Sequence, residues 1–215
     1  MPNLGLWQLD RLEWKNELLN NISSRQVADN ITFPYNESLE DFEFRNTSVE
    51  GKFLDNTQTF FFRPNLSGQS GYNVISAFKT IDDSVVYVDI GWIPFEQKEN
   101  IDFLDIDYNK NFSLKGILIS SKERNMFSPE NDYIENIWYT LSSTEMNKFY
   151  KLNGSFFILK IIDQNYFEQT LIEFNPTQIP NNHLQYAGTW FLLFIVVGIL
   201  YFYQVYHIIR IKWNT

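Results

Sequence analysis

The feature that most constrains this chain is an apolar stretch near its C-terminus, residues 180–213. No Asp, Glu, Lys or Arg occurs between Glu173 and Arg210. Wound as an α-helix, the segment 186–206 would be about 30 Å long, which is the thickness of the hydrocarbon core of a bilayer. The alternative is a buried helix of a soluble protein, but a small core rarely uses so long an uninterrupted apolar run. The stretch therefore predicts a transmembrane helix over residues 180–209 that places the chain in a lipid bilayer.

The residues that flank this helix predict its direction. Tyr and Trp side chains stand near both ends, as they do at the two interfaces of a membrane. Arg210 and Lys212 follow the stretch at once, whereas the nearest basic residue before it is Lys160. Because positive charge favours the inner side, residues 210–215 are predicted to form a cytoplasmic or matrix tail. The part of the chain before residue 180 is then expected on the outer side.

Composition limits what the exterior part can do. The net charge of −9 argues against binding to nucleic acid. Cysteine is absent, which excludes disulfides, thiolate catalysis and cysteine-ligated metals. With two histidines and no nucleophile motif, the chain offers little from which to build a catalytic centre. We therefore predict that it is not an enzyme.

The first residues form an amphipathic pattern. Leu4, Trp7, Arg11, Trp14 and Leu18 recur at spacings of three and four, which places them on one face of a helix. Two tryptophans beside cations are typical of a segment at a membrane interface, although an ordinary helix packed on its own domain has the same pattern. We predict an interfacial helix over residues 1–30, and we expect about 20 apolar residues of a first membrane span encoded upstream.

The middle of the chain, residues 31–179, alternates as β-strands do. Residues 48–64 predict a pair of strands about a turn near Asp55. Residues 71–94 predict a second pair, joined by a polar link. Further predictions are strands at 112–121, 156–163 and 169–175, and a helix at 136–152. The expected fold class is α+β: a compact, mainly antiparallel β domain with a few helices, attached to the membrane helix.

One histidine has a suggestive position. His183 stands at the outer end of the predicted membrane helix, after Asn181 and Asn182, either of which could cap that helix. The positive end of the helix dipole favours an anionic group there. An imidazole with such amides beside it is what an axial ligand to a haem with propionates needs. By spacing alone, an interfacial, hydrogen-bonded histidine is the favoured interpretation.

Several stretches resemble one family. Residues 181–191 (NNHLQYAGTWF), followed by an apolar span, closely resemble the C-terminal signature of the surfeit locus protein 1 family, the assembly factors of cytochrome c oxidase. The opening LGLWQLDRLEWK resembles that family's first exterior segment, and GYNVISAF and VYVDIGWIP resemble its central strands. Asn131 and Trp138 fall where the family has an Asn and a Trp. Ile90 stands where the family usually has Arg, and the family's Asp after Trp138 is missing.

The resemblance implies a non-enzymatic helper of the respiratory chain that holds haem a while cytochrome c oxidase subunit I acquires it. His183 matches the position of the family's haem a ligand, so the resemblance implies that His183 binds the haem iron. The implied partners are subunit I and the haem a synthesis machinery. The implied location is the bacterial inner membrane or the mitochondrial inner membrane, with most of the chain on the periplasmic or intermembrane-space side. The alternatives are a structural chaperone or accessory subunit that never binds haem, and a membrane-anchored enzyme.

Overall fold

The computed structural model describes residues 2–33, 42–104, 106–163, 167, 170–172 and 181–213. Its helices are α1 (Pro2–Val27), α2 (Ser143–Tyr150) and α3 (His183–Trp213), and a 3-10 helix covers Phe95–Leu104. Its strands are β1 (Asn46–Phe53), β2 (Thr59–Phe62), β3 (Gly71–Thr80), β4 (Val85–Pro94), β5 (Phe112–Ser120), β6 (Ile137–Trp138) and β7 (Gly154–Ile161). The chain divides into two compact units, one of Ser24–Asn175 and one of Met1–Ser23 with Pro176–Thr215.

The strands of the larger unit form one sheet that closes on itself. Their order is β1-β5-β7-β4-β3-β2-β6, and β1 also pairs with β3, so that five strands form a ring. β1 pairs with β5 up to Gly51 and with β3 from Gly51 onwards. A Cβ atom at Gly51 would overlap the backbone carbonyl oxygen of Lys79, so the ring closes where only glycine fits. Apolar side chains of all five strands fill its interior, among them Val49, Phe78 and Leu118.

The mainly antiparallel α+β architecture is confirmed. β1–β3, β1–β5, β2–β3, β3–β4 and β5–β7 pair antiparallel, whereas β4–β7 and β2–β6 pair parallel. The predicted strand pair of residues 71–94 is the hairpin β3–β4, and the predicted strands at 112–121 and 156–163 are β5 and β7. Of the strand predicted at 169–175, only residues 170–172 are described, and Leu171 forms a single bridge with Trp92.

The predicted pairing of β1 with β2 is wrong. Both strands lie along the same edge of β3, where β1 covers Phe78–Thr80 and β2 covers Tyr72–Ile75. The turn near Asp55 therefore moves the chain further along that edge and does not fold it back. Thr57 explains how: its hydroxyl accepts a hydrogen bond from the backbone N–H of Ala77 at 3.0 Å. The Thr57 hydroxyl is thus the acceptor for the Ala77 N–H, in place of the backbone carbonyl of a paired strand.

The predicted helix at 136–152 is also wrong in its first half. Ile137–Trp138 form β6, which pairs with β2, and the helix α2 begins only at Ser143. The Ser142 side chain accepts a hydrogen bond from the backbone N–H of Glu145, which is the usual contact of an N-cap. Trp138 is buried against the outer face of the sheet together with Met146 of α2. Burial of this tryptophan outweighed the helical tendency of its neighbours.

The smaller unit contains α3 and residues 2–23 of α1. The transmembrane prediction is supported, because α3 is long and apolar enough over His183–Ile211 to cross a membrane, and its most apolar part is not buried against protein. α1 covers the predicted N-terminal helix. Gly5 of α1 meets the ring of Phe191 so closely that a Cβ atom there would lie 2.7 Å from the ring carbon Cζ. Close packing of one helix on the other is therefore possible because residue 5 has no side chain.

Candidate functional site

His183 is the first residue of α3, and its side chain is tied to α1. The ring nitrogen Nδ1 lies 2.7 Å from Oε1 of Gln8, and both residues are partly buried. Gln8 turns its amide oxygen towards the ring, and because this oxygen can only accept a hydrogen bond, the contact suits the tautomer that carries its proton on Nδ1. In a neutral imidazole the other nitrogen, Nε2, then has the free electron pair. The contact at the start of α3 is therefore compatible with an imidazole whose Nε2 has a free electron pair.

The two asparagines before His183 differ in their contacts. The backbone carbonyl of Asn182 accepts the N–H of Tyr186 at 3.2 Å, as expected of the residue that precedes a helix. The side chain of Asn181 is used elsewhere, because its Nδ2 donates to Oδ1 of Asn16 on α1 at 2.9 Å. The Oδ1 atom of Asn181 is buried and has no hydrogen-bond partner among the described residues. An unmet buried acceptor costs about 1–3 kcal/mol unless a donor reaches it.

The hydrogen-bonding groups around His183 are chemically compatible with a haem bound at its imidazole. A metal-ligating histidine usually donates its other ring N–H to an oxygen acceptor, and the amide oxygen of Gln8 is such an acceptor. The N-terminus of α3 offers backbone N–H groups to an anion such as a propionate. Phe191, eight residues after His183 on α3, packs on Gly5 of α1. Trp190 is partly exposed.

His207 lies far from this place. It is 24 positions further along α3, which corresponds to about 36 Å along the helix axis. Its side chain is exposed, and its ring centroid lies 6.3 Å from that of Tyr203. The two histidines of the chain therefore cannot ligate one iron within a single copy.

A second polar cluster surrounds Asn131, one of the positions shared with the family. Asn131 Nδ2 donates to Oε2 of Glu145 at 2.7 Å, and its Oδ1 accepts from the backbone N–H of Tyr139 at 2.8 Å. The hydroxyl of Tyr133 also donates to Glu145 Oε2, at 3.2 Å, and Arg124 lies 3.6 Å from Oε1. Desolvation, and then the Glu145 charge, raise the pKa of Tyr133 above its usual value, so the phenol remains a donor.

These contacts fasten the loop after β5 to α2. A cavity of about 470 Å³ opens beside them, lined by Arg124, Tyr133, Glu145, Lys148 and Phe149. Glu145 supplies a carboxylate near the family's Asn although the Asp after Trp138 is missing. Each side chain of the cluster that contacts Glu145 offers N–H or O–H groups to its carboxylate. The cluster therefore stabilises the packing of the loop on α2.

A third polar cluster is a charged pair buried in the sheet. Lys160 Nζ of β7 lies 3.0 Å from Oδ2 of Asp89 of β4, and the two side chains are only 3% and 6% exposed. Asn73 of β3 donates through Nδ2 to both carboxylate oxygens of Asp89, at 2.9 and 2.8 Å. The backbone N–H of Gly91 donates to Oδ1 at 3.1 Å. Both carboxylate oxygens are thus occupied, and the cluster ties three neighbouring strands together.

The position before the Gly91-Trp92 pair is apolar and buried. Ile90 is fully buried in the interior of the sheet, where the family's arginine would bring a charge. Gly91 has a φ of 131°, which an L side chain rarely adopts, and a Cβ there would lie 2.5 Å from Oγ1 of Thr170. The backbone of this strand therefore requires glycine at 91 and, in this chain, an apolar residue at 90.

Together, the helix α3 and the sheet define a membrane protein that carries a folded β domain. Residues 1–195 match the model of the SURF1 family. The chain is 30% identical over 207 residues to the "SURF1-like protein" of Rickettsia prowazekii (strain Madrid E). The aligned region covers 94% of this chain and 83% of that protein. This chain belongs to the SURF1 family.

More distant relatives are eukaryotic. The "SURF1-like protein" of Dictyostelium discoideum is 25% identical over 249 residues, with 93% of this chain and 90% of that protein covered. The "Surfeit locus protein 1" of Homo sapiens is 26% identical over 223 residues, with 93% and 72% covered. The family match includes both Gln8 and His183.

Proposed function

We propose that this protein is a membrane-anchored, non-enzymatic assembly factor of cytochrome c oxidase that assists the delivery of haem a to subunit I. Membership of the SURF1 family supports the role in oxidase assembly. The observation that carries the haem part is the His183–Gln8 hydrogen bond of 2.7 Å, because it leaves Nε2 of His183 with a free electron pair at the start of the membrane helix.

In this proposal His183 would supply an imidazole nitrogen to the haem iron, and the N–H groups at the N-terminus of α3 would hold the haem carboxylates. A bound haem a contributes an iron that accepts one imidazole ligand and a macrocycle that carries two carboxylates. The chain's own part is to orient the imidazole, to keep its proton on Nδ1 and to offer N–H donors to the carboxylates. The partners are then subunit I, the machinery that makes haem a, and the bilayer.

The test of this function is the absorption spectrum of the purified full-length protein. The protein is co-expressed in its membrane with the enzymes of haem a synthesis, and with the same enzymes omitted as a control. We expect haem a bands only in the first sample. In cells that lack the protein, the fully assembled oxidase should decrease. If the oxidase decreases but the wild-type protein never carries haem, the protein is a structural chaperone or accessory subunit.

A further prediction concerns the topology of the chain. The charge asymmetry about α3 supports an orientation with Arg210 and Lys212 on the cytoplasmic or matrix side and the β domain on the outer side. Protease added to spheroplasts or mitoplasts should therefore digest the β domain, and an epitope after residue 215 should be reached only after the membrane is opened. Cleavage of the β domain only from the inner side would contradict this topology.

A further inference from the structure

We propose that Gln8 is the positioning residue of His183: its amide oxygen holds the proton on Nδ1 and so presents Nε2 as the only ligating nitrogen. This inference rests on the proposed haem site, but its central claim concerns the protein without haem. It gives a function to the N-terminal helix α1, whose sequence pattern is typical both of a membrane interface and of a helix packed on its own domain.

The geometry of the contact favours one tautomer of His183. His183 Nδ1 and Gln8 Oε1 are 2.7 Å apart, which is a short hydrogen bond between a ring nitrogen and an oxygen. The oxygen has no proton to give, so the proton of the pair belongs to Nδ1. The hydrogen bond made by one ring nitrogen of a histidine selects the tautomer, and the amide oxygen that Gln8 turns towards the ring selects the proton on Nδ1 over the proton on Nε2.

The position of Gln8 is fixed by contacts on both sides of it along α1. Three residues earlier, Gly5 packs on Phe191 of α3. Eight residues later, Asn16 accepts the amide of Asn181, just before α3. These two contacts lie within the same compact unit as His183. Gln8 is therefore held opposite His183 by packing on one side and a hydrogen bond on the other.

The consequence for a ligand is twofold. An imidazole that donates through Nδ1 has its ring orientation fixed and its Nε2 made more basic, as is general for metal-ligating histidines. A histidine without such a partner rotates freely and shares its proton between both nitrogens. Loss of a hydrogen-bond partner of this kind typically weakens metal binding about 10- to 100-fold.

The first experiment measures the tautomer in the haem-free protein. The full chain, purified without a polyhistidine tag, contains two histidines, so a sample labelled with ¹⁵N-histidine gives two sets of ring signals. At a pH where the ¹⁵N signals themselves show both rings to be neutral, we expect His183 to show a protonated Nδ1. Gln8→Leu should move that proton to Nε2. Gln204→Leu is the matched control, because it makes the same change at an exposed position of α3 and should leave the His183 signals unchanged.

The second experiment measures the consequence for haem. Gln8→Leu should retain haem a about 10- to 100-fold more weakly than the wild type and shift its visible bands. Gln8→Glu keeps an acceptor at the same distance along the side chain and should restore retention, whereas Gln204→Leu should behave as the wild type. Circular dichroism verifies that each variant keeps its helices.

The outcomes separate this inference from the proposed function. A wild-type His183 that carries its proton on Nε2, or a Gln8→Leu variant that retains the Nδ1 proton, overturns the role of Gln8. A wild-type protein that shows the Nδ1 proton but never takes up haem upholds the contact and overturns the haem function. Unchanged haem retention and unchanged bands in Gln8→Leu would also overturn the positioning role.

Discussion

Replacing His183 by Ala should abolish the haem a absorption bands of the protein purified from cells that make haem a. Alanine has no electron pair to replace that of Nε2, and the axial bond is the only one that the protein is proposed to make to the iron. α3 should still form and insert, because Ala is a strong helix former and the apolar run that follows is unchanged. The absorption spectrum, normalised to protein, measures the loss.

His207→Ala is the matched control for this variant, because it makes the same change on the same helix. His207 is exposed and lies about 36 Å from His183 along the axis, so its removal should leave the spectrum intact. The reverse pattern, with full haem in His183→Ala and none in His207→Ala, would show that the ligand has been assigned to the wrong end of the helix.

Lys160→Met should strongly destabilise the β domain. Lys160 and Asp89 are almost fully buried and 3.0 Å apart, so the substitution leaves the carboxylate of Asp89 in the sheet without its cation. Breaking a buried pair on one side typically costs about 3–5 kcal/mol. In a domain of this size that corresponds to a fall in the melting temperature of roughly 6–20 °C. Thermal unfolding of the full chain in detergent, followed by tryptophan fluorescence, measures the change.

Lys79→Met provides the comparison. Lys79 makes an ion pair of 2.7 Å with Asp83, but the two side chains are 46% and 85% exposed. Exposed pairs contribute about 0–1 kcal/mol, so this variant should melt close to the wild type. Equal effects of the two substitutions would mean that burial of the Lys160–Asp89 pair has no consequence for stability.

The sequence was sufficient for the features that have local or periodic causes. The apolar run of α3, the alternation in β3, β4, β5 and β7, and the β3–β4 hairpin each follow from the residues that form them. The wrong pairing of β1 with β2 has a different origin. A turn near Asp55 is visible in the sequence, but the Thr57 contact with Ala77 that keeps both strands on one edge of β3 is made across 20 positions. No local pattern carries that information.

The same distinction between local and distant causes applies to the candidate site. His183 could be named because it stands at the start of an apolar helix and within a family motif. Gln8 was visible only as one letter of another motif, 175 positions away, and its hydrogen bond to His183 becomes apparent only when α1 and α3 are packed. The buried pair of Lys160 and Asp89 could not be predicted from the sequence either. Each residue is a single charge in a predicted strand, and a charged residue in an alternating strand is expected on the exposed face.

The place of β7 in the ring has a consequence for how the chain acquires its fold. β7 is the last strand among the described residues, and it lies between β4 and β5, which it joins. Until residues 154–161 have been synthesised, β4 and β5 each present a free edge that can pair with another chain. The β4–β7 pairing joins segments about 70 positions apart, and such distant contacts form slowly. We therefore expect nascent or truncated chains that end before Gly154 to aggregate, and folding of the β domain to be completed only shortly before α3 leaves the ribosome.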